Sequence, residues 1–203
     1  MSRVYTEQTN QRGVPAMGNL IYGMNVSLDG YIADTEGDIS WGVSTEELFR
    51  WWLEEEQAVS LMLYGRKLWE TMSPYWPTGD KAPDARSDQV DYARNWRDTP
   101  KIVFASDSLP LDWNTRLATG NAVAEIRALK EQVNGSIRIG GASLASAAMR
   151  AGLIDEYAVV THPVLLGGGN PFFCLLDQHV HLELVETRVF DGGVTMNRYR
   201  SET

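Results

Sequence analysis

Apolar residues along this chain keep two rhythms, and the change between them falls near Gly152. Before it, short apolar runs alternate with stretches of helical spacing; after it, strand-like runs follow one another directly. LIYGMNV at 20–26 reads as a first strand. SLDGYIADTEGDISW then reads as a long loop that carries function or forms a lid, being rich in Asp, Gly and Ser. From Ser44 the spacing turns helical: Ser44 and Glu47 form the pattern of a capping box, and Leu48, Trp52 and Val59 mark one face. Residues 60–64 form a buried strand that runs into Gly65 and a helix over about 66–72. SPYWPTGDKAPDARSD reads as loop, with a short helix around 88–97, and KIVFAS at 101–106 as a strand. Ala122, Ile126, Leu129 and Val133 mark a helix over 121–133, stopped by Asn134-Gly135; SIRIGG (136–141) is a strand, and ASLASAAMRAG a helix small enough to lie close against a sheet.

DEYAVVTHPVLL, HLELVETRVF and VTMNRYR complete the chain as strands, with hairpin chemistry at Phe190-Asp191-Gly192-Gly193-Val194. β–α alternation followed by an antiparallel run predicts an α/β fold: a central, mostly parallel sheet, helices on its faces and antiparallel strands at the C-terminal edge. No repeat and no interior linker divides it. Residues 1–17 read as a polar, flexible extension, with Met17 a natural start of the folded part, and 18–203 as one domain.

Composition narrows the function. No apolar run approaches the ~20 residues that span a bilayer, and the N-terminus lacks the apolar core of a signal peptide. The single Cys174 excludes an internal disulfide framework and a multi-cysteine metal site, which predicts a cytoplasmic protein with no bound metal. A net charge of −9 argues against nonspecific nucleic-acid binding. Against that background the adjacent cations Arg66-Lys67 stand out.

Three strand ends share a chemistry. The strand at 60–64 leads into Gly65-Arg66-Lys67, that at 101–105 into Ser106-Asp107-Ser108, and that at 136–139 into Gly140-Gly141-Ala142-Ser143. In an open parallel sheet such ends lie on one rim, where helix N-termini and bare glycine backbone receive phosphate. Each piece also has a plain reading: a turn glycine, a solvated ion pair, a serine that caps a turn. G-x-G-x-x-G and the P-loop pattern are both absent.

YGRKLWETM resembles the G-R-x-T-W-E-S segment of dihydrofolate reductases. NVSLDGYIA, IRIGGASL and THPVLLGGGNPFF resemble the C-terminal reductase domain of the bifunctional riboflavin-biosynthesis deaminase–reductase and its stand-alone relatives, in the same order over about residues 18–200. The resemblance implies a dihydrofolate-reductase-like fold, a homodimer, and NADPH-dependent reduction of a pyrimidine- or pteridine-like heterocycle. The chain lacks the H-x-E and P-C-x-x-C zinc signature of the deaminase half, so a stand-alone reductase is expected.

By position, the resemblance assigns Gly65, Arg66, Lys67 and Leu68 to the pyrophosphate and 2′-phosphate side of NADPH, and Ser106 to the adenosine ribose, with Asp107 close to the 2′-phosphate. Gly140, Gly141, Ala142, Ser143 and Leu144 would pass under the pyrophosphate and nicotinamide ribose, Ile32 and Ala33 would lie near the carboxamide, and Asn25 and Asp29 would face the substrate. Dihydrofolate reductases grip the pteridine with a carboxylate at the start of the helix after the mobile loop; Glu46 and Glu47 occupy that stretch here. Glu47 has its capping role, which leaves Glu46 and Asp29 as candidate catalytic acids, each with a structural alternative at a helix N-terminus or in a turn with Gly30. His162 reads as a packed histidine, Gly167-Gly168-Gly169 as a loop hinge, and Trp51, Trp52 and Trp69 as core, with Trp69 near the cofactor. Tyr75-Trp76 reads as core too, or, lying in a loop, as the wall of a cleft or a dimer contact. A binding homodimer without turnover is the alternative function on the same fold.

Overall fold

The computed structural model describes residues 18–202; the expected N-terminal extension lies outside the described residues. The strands are β1 (Asn19–Ser27), β2 (Tyr31–Ala33), β3 (Val59–Gly65), β4 (Lys101–Phe104), β5 (Thr115–Ala118), β6 (Ser136–Gly140), β7 (Glu156–His162), β8 (Asn170–Pro171), β9 (Leu182–Val189) and β10 (Thr195–Ser201). The helices are α1 (Glu46–Gln57), α2 (Arg66–Met72), α3 (Ser87–Asp98), α4 (Ala122–Gln132) and α5 (Ala142–Arg150). Eight strands form one sheet in the order β5-β4-β3-β6-β1-β7-β10-β9, and β2 pairs with β8 apart from it.

From β5 to β7 the neighbours are parallel; β10 runs antiparallel to both β7 and β9. The reversal follows from the turn at 190–194, where Gly192 and Gly193 take φ of +78° and +76°, a region open to glycine at little cost. Period-two alternation distributes the core. Leu61 and Leu63 join Leu20, Ile137 and Ile139 beneath α4 and α5, whereas Met62 and Tyr64 pack on the opposite face with Leu53, Trp69, Tyr92 and Trp96. Leu48 and Trp51 of α1 seal that second face further along, against Val160 and Met196.

Several local expectations need correction. Thr45, not Ser44, caps α1, its hydroxyl accepting from Leu48 N–H at 3.2 Å. Glu47 therefore closes no capping box; it reaches Arg188 and the Asp191 N–H, both at 3.3 Å, tying α1 to the β9–β10 turn. Val59 begins β3 rather than extending the helix. The stretch expected as loop after Met72 holds a short 3₁₀ helix at Trp76–Lys81, while α3 falls where a short helix is expected. β5 carries no strand signal in the sequence, because TRLA is a polar, half-covered edge strand with no apolar run to mark it.

Candidate functional site

Parallel pairing decides where the three predicted turns go. β4, β3 and β6 are neighbours with registers Gly65↔Phe104 and Tyr64↔Gly140, so their carboxyl ends share one rim. Gly65 and Gly141 touch there: a Cβ on Gly141 would lie 3.4 Å from Gly65 Cα and N. A Cβ on Gly140 would collide with Leu68 Cδ2. The glycines thus let the two loops close on each other, with Gly65 and Gly141 half-buried and Gly140 buried. No side chain caps the N-terminus of α5, whose cap residue Gly141 has φ +96°. Its first N–H groups, on Ala142, Ser143 and Leu144, are the donors a helix start leaves without intrahelical partners. Ser143 is exposed and Leu144 is buried under the sheet.

Arg66 links this rim to the loop after β4. Its Nε donates to Glu70 at 2.9 Å and its Nη1 to Asp107 at 3.2 Å, and both contacts hold its pKa above the usual value. Ser106 beside it is exposed and donates to Asp107 at 3.3 Å, while Lys67 is exposed with no ion pair among the described residues. Uncapped helix start, bare glycines and a cation at the edge suit a pyrophosphate with a further phosphate alongside. Ile32 and Ala33 lie in β2, Ile32 packed in the core and Ala33 paired with Asn170. Gly169, φ +137°, is required there because a Cβ would collide with the Ala33 carbonyl.

The rim opens into a cavity of about 440 Å³ on the α1 side of the sheet, shared at Leu68 and Gly140. Its walls are Phe49, Trp52, Tyr75, Trp76 and Tyr92, and Ile39 of the 34–42 loop lies over it. Asn25 lines it, its Oδ1 accepting from Trp52 Nε1 at 3.1 Å. Tyr75 and Trp76 fill the cleft-wall role. Trp69 is core, as read from the sequence: it is buried against Trp96, ring centroids 5.5 Å apart, and does not line the cavity. A more open cavity of about 520 Å³, lined by Lys101, Asp112, Trp113 and Arg116, lies at the opposite ends of β4 and β5, away from these loops.

Neither predicted acid lines this cavity. Glu46 is exposed and pairs with Arg50 at 2.5 Å. Asp29 accepts from Ser27 Oγ at 2.6 Å and from the N–H groups of Leu166 and Gly167 at 3.1 and 2.7 Å. Those donors lower its pKa, so it stays ionised and fastens the 163–169 loop to the end of β1. The carboxyl group at the cavity is Glu56, near the end of α1, with Arg138 of β6 beside it. Both carried a sequence signal. Position 56 continues the i, i+4 stripe of Leu48 and Trp52, and Arg138 interrupts an apolar strand that lies inside a parallel sheet.

His162 ends β7 on the same rim side as Ser27. It is 1% exposed; its Nδ1 accepts from Val43 N–H at 2.9 Å, and Trp41 stands edge-on at 5.6 Å. Nε2 therefore carries the proton of a neutral ring, and burial lowers its pKa. It anchors the end of the loop that carries Ile39. Among the described residues no group of three His, Cys, Asp or Glu could hold a metal, and no helix is long and apolar enough to cross a membrane.

A mostly parallel sheet with an antiparallel C-terminal edge, and phosphate-suited turns opening into an aromatic cleft, defines the dihydrofolate-reductase-like class. Solved structures agree on the fold. The dihydrofolate reductase of Enterococcus faecalis, complexed with NADP(H), is 18% identical, with a TM-score of 0.62 over 92% of this chain and 98% of that one. A crystal structure from Shewanella sp. PV-4, described as a candidate riboflavin biosynthesis protein, gives a TM-score of 0.71 at 21% identity over 91% and 99%. Within that class the chain belongs to the RibD C-terminal domain family, whose model matches residues 19–196. The uncharacterized protein YyaP of Bacillus subtilis is 30% identical over 182 residues, 89% of this chain and 93% of its own length. Membership places the chain in a reductase-type family.

Proposed function

We propose that the chain is an NADPH-dependent reductase of a small pyrimidine- or pteridine-like heterocycle, of the kind reduced as an aminouracil in riboflavin biosynthesis. The observation that carries this reading is the continuity of the phosphate-suited rim with the aromatic cavity at Leu68 and Gly140. Gly65 and the start of α5 would hold the pyrophosphate. A 2′-phosphate would draw Arg66 from Asp107, with Lys67 alongside. Bound there, the nicotinamide supplies the hydride. The protein's residues would do the rest: Trp52, Trp76 and Tyr92 would wall a planar ring and exclude water, positioning it for hydride transfer.

Trp52 and Trp76 line the cavity and report on it. NADPH should quench their emission, and a pteridine or aminouracil added to the complex should be reduced with loss of the NADPH absorbance. Absence of quenching refutes the reading; quenching with no oxidation by either heterocycle class favours the binding-protein alternative. The reading includes a cytoplasmic homodimer. Supporting it are the free Cys174 and the exposed apolar side chains Leu175, Leu184 and Val189 near and along the edge strand β9.

A further inference from the structure

The floor of the aromatic cavity holds a carboxyl group with too few partners for a structural ion. Glu56 is 8% exposed. A carboxylate buried to that degree ordinarily takes a bidentate arginine or several N–H donors. Glu56 has neither. Arg138 Nε stands 3.3 Å from its Oε1, yet Nε and Nη1 of Arg138 make no hydrogen bond among the described residues. The aligned bond of Arg138 runs from Nη2 to Glu55 at 3.0 Å, and Glu55 also receives Arg198 at 2.7 Å. The arginine charge is therefore committed mainly to Glu55, the like charge next along α1.

Two other titratable groups face Glu56, Tyr64 from β3 and Tyr92 from α3. Burial raises both phenols, so they remain neutral. Burial likewise raises Glu56; Arg138 opposes the shift, and Glu55 adds to it. The group is held toward its protonated form while it lines a cleft continuous with the cofactor rim.

We propose that Glu56 is the proton donor of this site and Arg138 the cation that receives the charge it leaves behind. This rests on the reductase reading above and fits a planar heterocycle with a reducible C=N bond. In the step, the ring carbon gains a hydride, with its two electrons, from the reduced nicotinamide dinucleotide, which is oxidised. The ring nitrogen takes the proton from Glu56. The new carboxylate aligns with the unused N–H of Arg138 Nε, and solvent restores the proton through the mouth of the cleft. Asp29 is ionised and Glu46 lies outside the cavity, so neither competes for the role.

The first test needs no turnover. Carbon-13 glutamate NMR and carboxyl infrared spectra of the NADPH-saturated wild type at pH 7 should show one protonated glutamate, absent in Glu56→Gln. A Glu56 that is ionised at pH 7 overturns the proposal, and the wild-type spectrum alone decides this if the variant does not fold. The second test uses 7,8-dihydropterin, which carries such a C=N bond. Glu56→Gln should lower kcat by about 10²–10⁴-fold, the range for a positioned general acid, with NADPH quenching unchanged. The fall of the wild-type rate at high pH should also vanish in the variant. Reduction by the variant at the wild-type rate overturns the proposal. Failure of NADPH to quench the wild type sinks the reductase reading instead, and leaves the protonation state of Glu56 measurable.

Discussion

Replacing Gly141 with alanine tests whether the rim is built on backbone that only glycine can adopt. Gly141 has φ +96° and ψ 122°, outside the regions open to a side chain. Holding a non-glycine residue there costs about 1–3 kcal/mol. The added Cβ would also lie 3.4 Å from Gly65 Cα and N, backbone atoms that cannot rotate away, so one turn must shift by a few tenths of an ångström. Taking about 2 kcal/mol for the backbone strain, the melting temperature should fall by roughly 4–8 °C, at about 2–4 °C per kcal/mol for a chain of this size. Urea denaturation should show a lower midpoint at unchanged m-value. Gly120→Ala is the control, because a Cβ there meets nothing within 4 Å and no positive φ is involved. NADPH should bind more weakly to Gly141→Ala, since the displaced turn is the proposed pyrophosphate cradle. A loss below about 0.5 kcal/mol, the level of an ordinary surface substitution, would refute the strained-rim account.

Other consequences follow from the same geometry. Arg66→Glu should weaken NADPH by about 10–100-fold, the worth of a charge-assisted bond, and NADH much less; equal losses would count against Arg66 as the 2′-phosphate ligand. His162 has its pKa lowered in the folded state, so its contribution is complete above the unfolded value of about 6.5 and is lost as pH falls through that value toward the folded one. Melting temperature measured from pH 7.5 to 5.5 should therefore fall more steeply for the wild type than for His162→Gln, and parallel curves would exclude the role. Asp29, also lowered, stabilises above its ordinary pKa and ceases to as pH falls through the folded one. Asp29→Asn should flatten the acid limb of the stability curve, which difference melts below pH 4 would reveal. Sedimentation equilibrium should return twice the chain mass, and a single-chain mass would remove the homodimer.

The parts of this molecule legible in the sequence are those where one periodicity serves one environment. β3 and β6 are largely buried, so apolar residues dominate both, broken in β6 by Arg138, and the turns that follow them announce themselves with glycine. Parallel order then fixes the shared rim without any further information. What escaped are residues whose surroundings are made by distant segments. Glu56 continues the stripe of Leu48 and Trp52 but sits in a Glu54-Glu55-Glu56 run, and the Arg138, Tyr64 and Tyr92 around it come from β6, β3 and α3. Asp29 has the composition of a turn and, equally, of an acid; the N–H groups that occupy it come from residues more than a hundred positions away.

Two glycines shape the floor of the cavity, letting Leu68 and Arg138 settle where side chains would otherwise stand. Both faces of an interior sheet must be covered, and beneath α4 and α5 the cover is complete. On the α1 side, Gly23 of β1 and Gly140 of β6 offer no side chain on neighbouring strands, and both line the opening. Arg138 occupies part of the vacated space: its Nη1 lies 2.8 Å from where a Cβ on Gly23 would stand, with Ala158 Cβ 3.1 Å away on the other side. Gly23→Ala should therefore push the guanidinium away from Glu55 and into the cleft, at about 1–3 kcal/mol for overpacking. Quenching by NADPH should persist, because the rim turns are untouched, while 7,8-dihydropterin should lose affinity for the complex. If the variant binds the pterin as tightly as the wild type, then this opening does not receive the ring and the substrate must enter the protein elsewhere.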